Sequence, residues 1–148
     1  MKPVKILFVC VHNSARSQMA EAFLNDYGAA FAIAESAGIE KGTLNPLAVK
    51  VMDEIGIDIS KNEVNSVFEF FKNHKLYTYV VTVCDESSGQ KCPIFPGVRE
   101  MIHWSLDDPS SFEGTEEERL EKTRVVRDQI KANVLGLIED LKSKYNLD

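Results

Sequence analysis

The sequence predicts an α/β fold, a single three-layer domain over residues 1–148 in which a four-stranded parallel sheet lies between helices. Two observations predict it. Short β-branched apolar runs alternate along the chain with segments of helical period, the order that builds right-handed crossover units. The chemically reactive residues also cluster just after two of those runs, at the carboxyl edge of such a sheet, where ligands bind.

The first run, VKILFVC at 4–10, is apolar at nearly every position, as expected of a strand covered on both faces. After a polar turn, SARSQMAEAFLNDYG carries Met19, Ala20, Phe23 and Leu24 at helical spacing and stops at Gly28. Residues 31–37 (FAIAESA) form a weaker second strand. Asn45 and Pro46 supply an N-cap and first turn for LAVKVMDEIG, closed by Gly56. Residues 63–73 read as a further helix, and 77–84 (YTYVVTVC), rich in β-branched and aromatic residues, as the third strand. Residues 101–104 are a short fourth strand. Thr115 and Glu118 fit a capping box opening a long helix, whose apolar stripe is Val126, Ile130, Val134, Leu137 and Leu141.

Composition narrows the function. With 148 residues, 44% hydrophobic and 27% charged, the chain matches an ordinary folded domain rather than a disordered one. Its net charge of -6 argues against a broad nucleic-acid-binding face, so any bound anion must be held locally. Lys2 and Lys5 precede an apolar run that ends at His12, too short for a secretory signal, and no stretch approaches a membrane span. A cytoplasmic protein is expected. There structural disulfides are rare, so three cysteines read as reactive or buried thiols.

The first loop carries the strongest signal. In CVHNSARS (10–17), Cys10 and Arg16 bracket five residues, Val11, His12, Asn13, Ser14 and Ala15, at a strand-to-helix junction. Such a loop can curl so that successive N–H groups, together with the positive end of the following helix, bind a tetrahedral anion. Arg16 offers a planar fork for two of its oxygens. Cys10 lies beneath the anion in the same positive field, which favours the reactive thiolate, and Ser17 can donate a hydrogen bond to the sulfur. Phosphate-like oxyanions fit this cradle.

Across VCVHNSARSQMAEAF, ESAGIE, VTVCDE, CPIFPG, HWSLDDP and RVVRDQI the chain resembles the low-molecular-weight protein tyrosine phosphatases and, more closely, their relatives the thioredoxin-coupled arsenate reductases. The resemblance implies the four-stranded parallel sheet with the anion loop after its first strand. It also implies a reaction: Cys10 attacks arsenate, Cys84 attacks the Cys10 sulfur, arsenite departs, and Cys92 moves the disulfide to Cys84, where reduced thioredoxin, the electron donor and partner, removes it. Cys84 ends the third strand as Cys10 ends the first, so on neighbouring strands their thiols approach one another. The polar segment DESSGQK between Cys84 and Cys92 can reorganise to bring the last pair together. Asp108, in the string DDP, matches the general acid, with Asp107 as its possible substitute. No bound cofactor and no metal are expected. Asn13, Glu21 and Ser36 match a polar network that in certain members surrounds a potassium ion, while Glu63 and Asn65 depart from the rest of that pattern.

Two alternatives stand beside this reading. A tyrosine phosphatase needs the same loop, Arg16 and Asp108. Against it, the chain has Ala15 where phosphatases commonly carry a second loop cysteine, and Ser110, Ser111 and Phe112 where they carry paired tyrosines. A non-enzymatic thiol redox sensor would use the three cysteines and have no need of Asp108.

Overall fold

The computed structural model describes residues 3–40, 42–83 and 95–145. Four strands, β1 (Val4–Cys10), β2 (Ala32–Gly38), β3 (Tyr79–Thr82) and β4 (Glu100–His103), form one sheet in the order β2-β1-β3-β4. Every pairing is parallel. The helices are α1 (Arg16–Tyr27), α2 (Pro46–Asp53), α3 (Val67–Lys72) and α4 (Glu116–Tyr145). Among the described residues no helix is long and apolar enough to cross a membrane.

The period-2 alternation of a strand explains the near-continuous apolar run in β1. Ile6 and Phe8 pack with Met19 and Phe23 of α1, Val51 and Met52 of α2, and Ile130 and Val134 of α4. Leu7 and Val9 face the other way, onto Val67 of α3, Tyr77, Val80 and Phe95. Beyond the exposed Lys5 near its start, every residue from Ile6 to Cys10 is buried, which is why that part of the sequence carries no amphipathic rhythm.

Element boundaries follow local hydrogen bonding. The Asn45 side chain accepts from Leu47 N at 2.8 Å to start α2. That helix stops at Asp53, and a turn with Gly56 at φ 83 follows, Ile57 N bonding back to Met52 O at 3.0 Å. Gly56 therefore closes the helix as expected, three residues after its last regular position. Thr115 and Glu118 form the capping box, with Glu118 N donating to Thr115 Oγ1 at 3.1 Å and Thr115 N to Glu118 Oε1 at 3.4 Å. Gly28 ends α1 without adopting a left-handed conformation, at φ -111.

One expectation is corrected. The helix read over residues 63–73 is confined to Val67–Lys72, with Ser66 as its cap. Its first residues are extended because their backbone groups are spent elsewhere. Glu63 O accepts from Gln18, Asn65 N donates to Asn13, and Asn65 O accepts from Gly38 N at 2.9 Å, so the backbone cannot also close helical turns. Cys84, at the end of the predicted third strand, and Cys92 lie outside the described residues. The regular part of that strand spans Tyr79–Thr82, and its pairing continues through Val83 N to Val9 O at 2.8 Å.

The strand order reverses between β1 and β3, which opens a crevice at their carboxyl ends. Gly38, paired with Cys10, lets the chain after β1 approach closely. A Cβ there would stand 2.7 Å from both Asn13 N and His12 C, and 2.8 Å from Glu40 O. All three are backbone atoms that cannot swing aside. Gly38→Ala should therefore lower stability by about 1–3 kcal/mol, read by chemical denaturation; an unchanged midpoint would mean that the loop has slack to retreat.

Candidate functional site

The loop between β1 and α1 is built by tying its carbonyl oxygens to the segment after β2. Ile39 N donates to Cys10 O at 3.0 Å, Glu40 N to Val11 O at 2.6 Å, Gly42 N to His12 O at 3.2 Å and Asn45 N to Ser14 O at 2.8 Å. The N–H groups of Val11, His12, Ser14 and Ala15 have no acceptor among the described residues. They are donors left over by the arrangement. The start of α1 adds to them, because its N-cap position is Ala15, with no side-chain cap bond. α2, α3 and α4 each begin on a capping side chain. The loop thus concentrates unspent N–H groups and a helix dipole in one place.

Cys10 is buried, 2% exposed, at the base of this loop. Its Sγ accepts from Asn13 N at 3.1 Å and lies 2.8 Å from Ser17 Oγ. Asn13 adopts the left-handed conformation, φ 55, which an asparagine tolerates better than most residues and which turns its N–H back to the sulfur. Asn13 Nδ2 also donates to Ser17 Oγ at 2.7 Å. Since that oxygen already accepts from Asn13, its own hydrogen is available for the sulfur, which then has two donors around it.

Arg16 and Asp108 come together from distant parts of the sequence. The Arg16 guanidinium, 3% exposed, donates to Leu106 O at 3.1 Å and sits 3.5 Å from Asp108 Oδ2. Asp108 is in turn held by its own turn. Its Oδ1 accepts from Ser110 N at 2.9 Å, its carbonyl accepts from Ser111 Oγ at 2.7 Å, and Asn45 Nδ2 donates to Ser110 Oγ at 3.2 Å. Asp107, the alternative acid, is exposed, and no charged partner faces it among the described residues. His12 turns its ring away to Glu40, 3.1 Å distant, which leaves its backbone N–H for the loop.

Below the loop lies a polar layer that sequence reasoning only partly foresaw. Gln18, fully buried, donates from Nε2 to Asn13 O at 3.1 Å, Asn13 Oδ1 at 3.2 Å and Glu63 O at 3.0 Å. Asn65 N donates to Asn13 Oδ1 at 2.9 Å, Asn65 Nδ2 to Ser36 O at 3.1 Å, and Ser36 Oγ to Glu21 Oε1 at 3.3 Å. Asn13 Oδ1 thus accepts from an amide nitrogen and a backbone N–H, while the partly buried Glu21 carboxyl bonds to Ser36. Gln18 has no motif to announce it, and Leu106 acts through a carbonyl that any residue would supply.

A model of the family described as low molecular weight phosphotyrosine protein phosphatase matches residues 5–147, and the chain belongs to that family. Within it, the chain is similar to proteins named arsenate reductase. That of Shouchella clausii is 43% identical over 134 residues, 90% of this chain and 94% of the relative. The glutaredoxin arsenate reductase of Synechocystis sp. is 36% identical over 135 residues, 90% of this chain and 95% of the relative. A solved structure described as an arsenate reductase in the phosphate binding state superposes with a TM-score of 0.77 at 36% identity, covering 95% of this chain and 98% of that one.

Burial pushes the Glu21 carboxyl up to about 7, the Ser36 hydrogen bond opposing and the nearby Glu35 charge adding to the rise. In the unfolded chain the group ionises near 4.5, so between pH 5 and 7 the unfolded state has released a proton that the native state keeps. Stability contributed by this group is present below that window and falls as pH rises through it. Glu21→Gln should flatten the fall and gain up to about 3 kcal/mol on wild type by pH 8, measured by urea denaturation across pH; parallel profiles would refute the assignment.

Proposed function

We propose that the chain reduces arsenate to arsenite, with Cys10 as nucleophile and a dithiol protein as the source of electrons. The observation that carries this reading is the position of the Cys10 sulfur, held by Asn13 N and facing a loop whose N–H groups are unspent. Those groups and Arg16 suit a tetrahedral oxyanion dianion, and arsenate shares that shape and charge with phosphate. The names of the relatives favour arsenate.

In this reading the Cys10 thiolate attacks arsenic, an As–O bond breaks, and Asp108 gives its proton so that the oxygen leaves as water. The Cys84 thiolate then attacks Cys10 Sγ. An S–S bond forms, the S–As bond breaks, and its electron pair stays on arsenic, taking it from the +5 to the +3 state as arsenite leaves. Cys92 next attacks Cys84, freeing the Cys10 thiolate and leaving a Cys84–Cys92 disulfide. A reduced dithiol protein takes that disulfide and is itself oxidised. The adjacency of β1 and β3 supports the first exchange, since Cys84 follows Val83, whose N–H bonds to Val9 O. We assign thioredoxin as the donor, because an internal dithiol needs no small thiol to resolve it; the Synechocystis relative is named for glutaredoxin.

The ion pair gives Asp108 its place. Before substrate binds, Arg16 faces the carboxylate at 3.5 Å; an oxyanion entering the loop in its hydrogen-bearing form competes for the same guanidinium and brings the proton that Asp108 passes to the departing oxygen.

Purified protein with thioredoxin, its reductase and NADPH should consume NADPH only when arsenate is added. A glutaredoxin and glutathione system that sustains turnover while thioredoxin does not would reassign the donor. No consumption with either, together with fast hydrolysis of an aryl phosphate, would make the chain a phosphatase. Asp108→Asn should slow the first chemical step about 10²-fold or more in single-turnover experiments; an unchanged rate would remove Asp108 from the mechanism.

A further inference from the structure

The polar layer under the loop contains a side chain that the proposed chemistry never touches and that nevertheless reaches the residue holding the nucleophile. Gln18 lies in the first turn of α1 and is fully buried. A buried amide must find partners for both of its ends, and Gln18 does. Its Oε1 accepts from Asn62 Nδ2 at 3.1 Å, which fixes which end of the amide points where. Its Nε2 then faces three oxygens, the Asn13 carbonyl, Asn13 Oδ1 and the Glu63 carbonyl, all within 3.2 Å.

Two of those three belong to Asn13, the residue in the left-handed conformation whose backbone N–H bonds to the Cys10 sulfur. The same Asn13 orients Ser17 Oγ, the second contact of that sulfur. A left-handed conformation is easier for asparagine than for most residues with a Cβ, but it still gains from surroundings that hold it. Gln18 supplies two of the bonds that do so and Asn65 N a third. The Glu63 carbonyl joins the strap 62–65 to the same amide, and the strap is itself anchored on β2 through Gly38 N to Asn65 O at 2.9 Å.

We infer that Gln18 is a positioning residue for the nucleophile: its amide, clamped between Asn62 and the Glu63 carbonyl, holds Asn13 in the left-handed turn that aims an N–H at the Cys10 sulfur. The inference rests on the reading of the loop as an oxyanion site with Cys10 as nucleophile. Losing the amide removes no group that meets substrate. Its effect travels through Asn13 to the sulfur and to the neighbouring N–H groups, so reactivity and anion affinity should fall together while the core stays packed.

The test is Gln18→Met in the full chain, which keeps length and volume and deletes every hydrogen bond. Three quantities are read: the rate at which iodoacetamide alkylates Cys10 at pH 7, followed on the Cys10 peptide by mass spectrometry; the Kd for inorganic phosphate; and the melting temperature. A tenfold or greater loss in both alkylation rate and phosphate affinity is expected in a variant that remains folded. Wild-type values for both, whether or not the melting temperature drops, would reduce Gln18 to a packing residue and overturn the inference. Should Gln18→Met fail to fold, Asn62→Ala decides, because it releases the amide from its half-exposed partner without touching the core. A threefold or greater loss in both readouts then supports the clamp, and none overturns it. Neither readout requires arsenate turnover, so a protein that reduces no arsenate leaves this test intact. If wild type binds no phosphate, the oxyanion reading falls on its own and the alkylation rate alone judges Gln18.

Discussion

The site depends on where four carbonyl oxygens go. Those of Cys10, Val11, His12 and Ser14 are all claimed by the chain that follows β2, and a peptide unit whose oxygen is tied outward leaves its neighbours' N–H groups without a local partner. This single arrangement explains several features at once. It requires Gly38, since no Cβ fits between the two segments, and it accounts for a helix that begins without a side-chain cap. It also fixes Cys10 at the floor of the loop, where the same geometry that collects N–H dipoles surrounds the sulfur with donors.

The two charged residues of the site illustrate why spacing along the chain says little about spacing in the fold. Arg16 and Asp108 are separated by most of the sequence, yet their side chains meet at 3.5 Å because one follows β1 and the other lies beyond β4 at the same edge of a parallel sheet. Arg16 also grips the Leu106 carbonyl, so the guanidinium locates the acid-bearing loop as well as facing it. An anion entering the loop would meet a cation already oriented by two partners, which lowers the ordering cost of binding.

Much of this was legible in the sequence, and the parts that were not have physical reasons. β1 and the helix after it were plain because a fully buried strand and an amphipathic helix leave strong patterns. The capping pair Thr115 and Glu118 was readable because capping is local chemistry. Residues 63–66 were misread as helical since their propensity says nothing of Gln18 or Gly38, whose long-range hydrogen bonds consume their backbone groups. Cys10, Arg16 and Ser17 were found through their spacing, and the structure brings them together with Asn13 and Asp108. Gln18 was missed because a glutamine in a helix ordinarily points into solvent. Only its burial and four bonds show otherwise.

In the proposed relay one sulfur takes the oxyanion and passes its oxidation to two others in order. Mapping of disulfide-linked peptides after a single arsenate turnover, with no external reductant, addresses it most directly. The relay requires a Cys84–Cys92 disulfide with Cys10 returned as a free thiol, and a Cys10–Cys84 disulfide when Cys92 is replaced by serine. Three free thiols after arsenite has been released, or a disulfide in the Cys92 variant that leaves out Cys10, would contradict it.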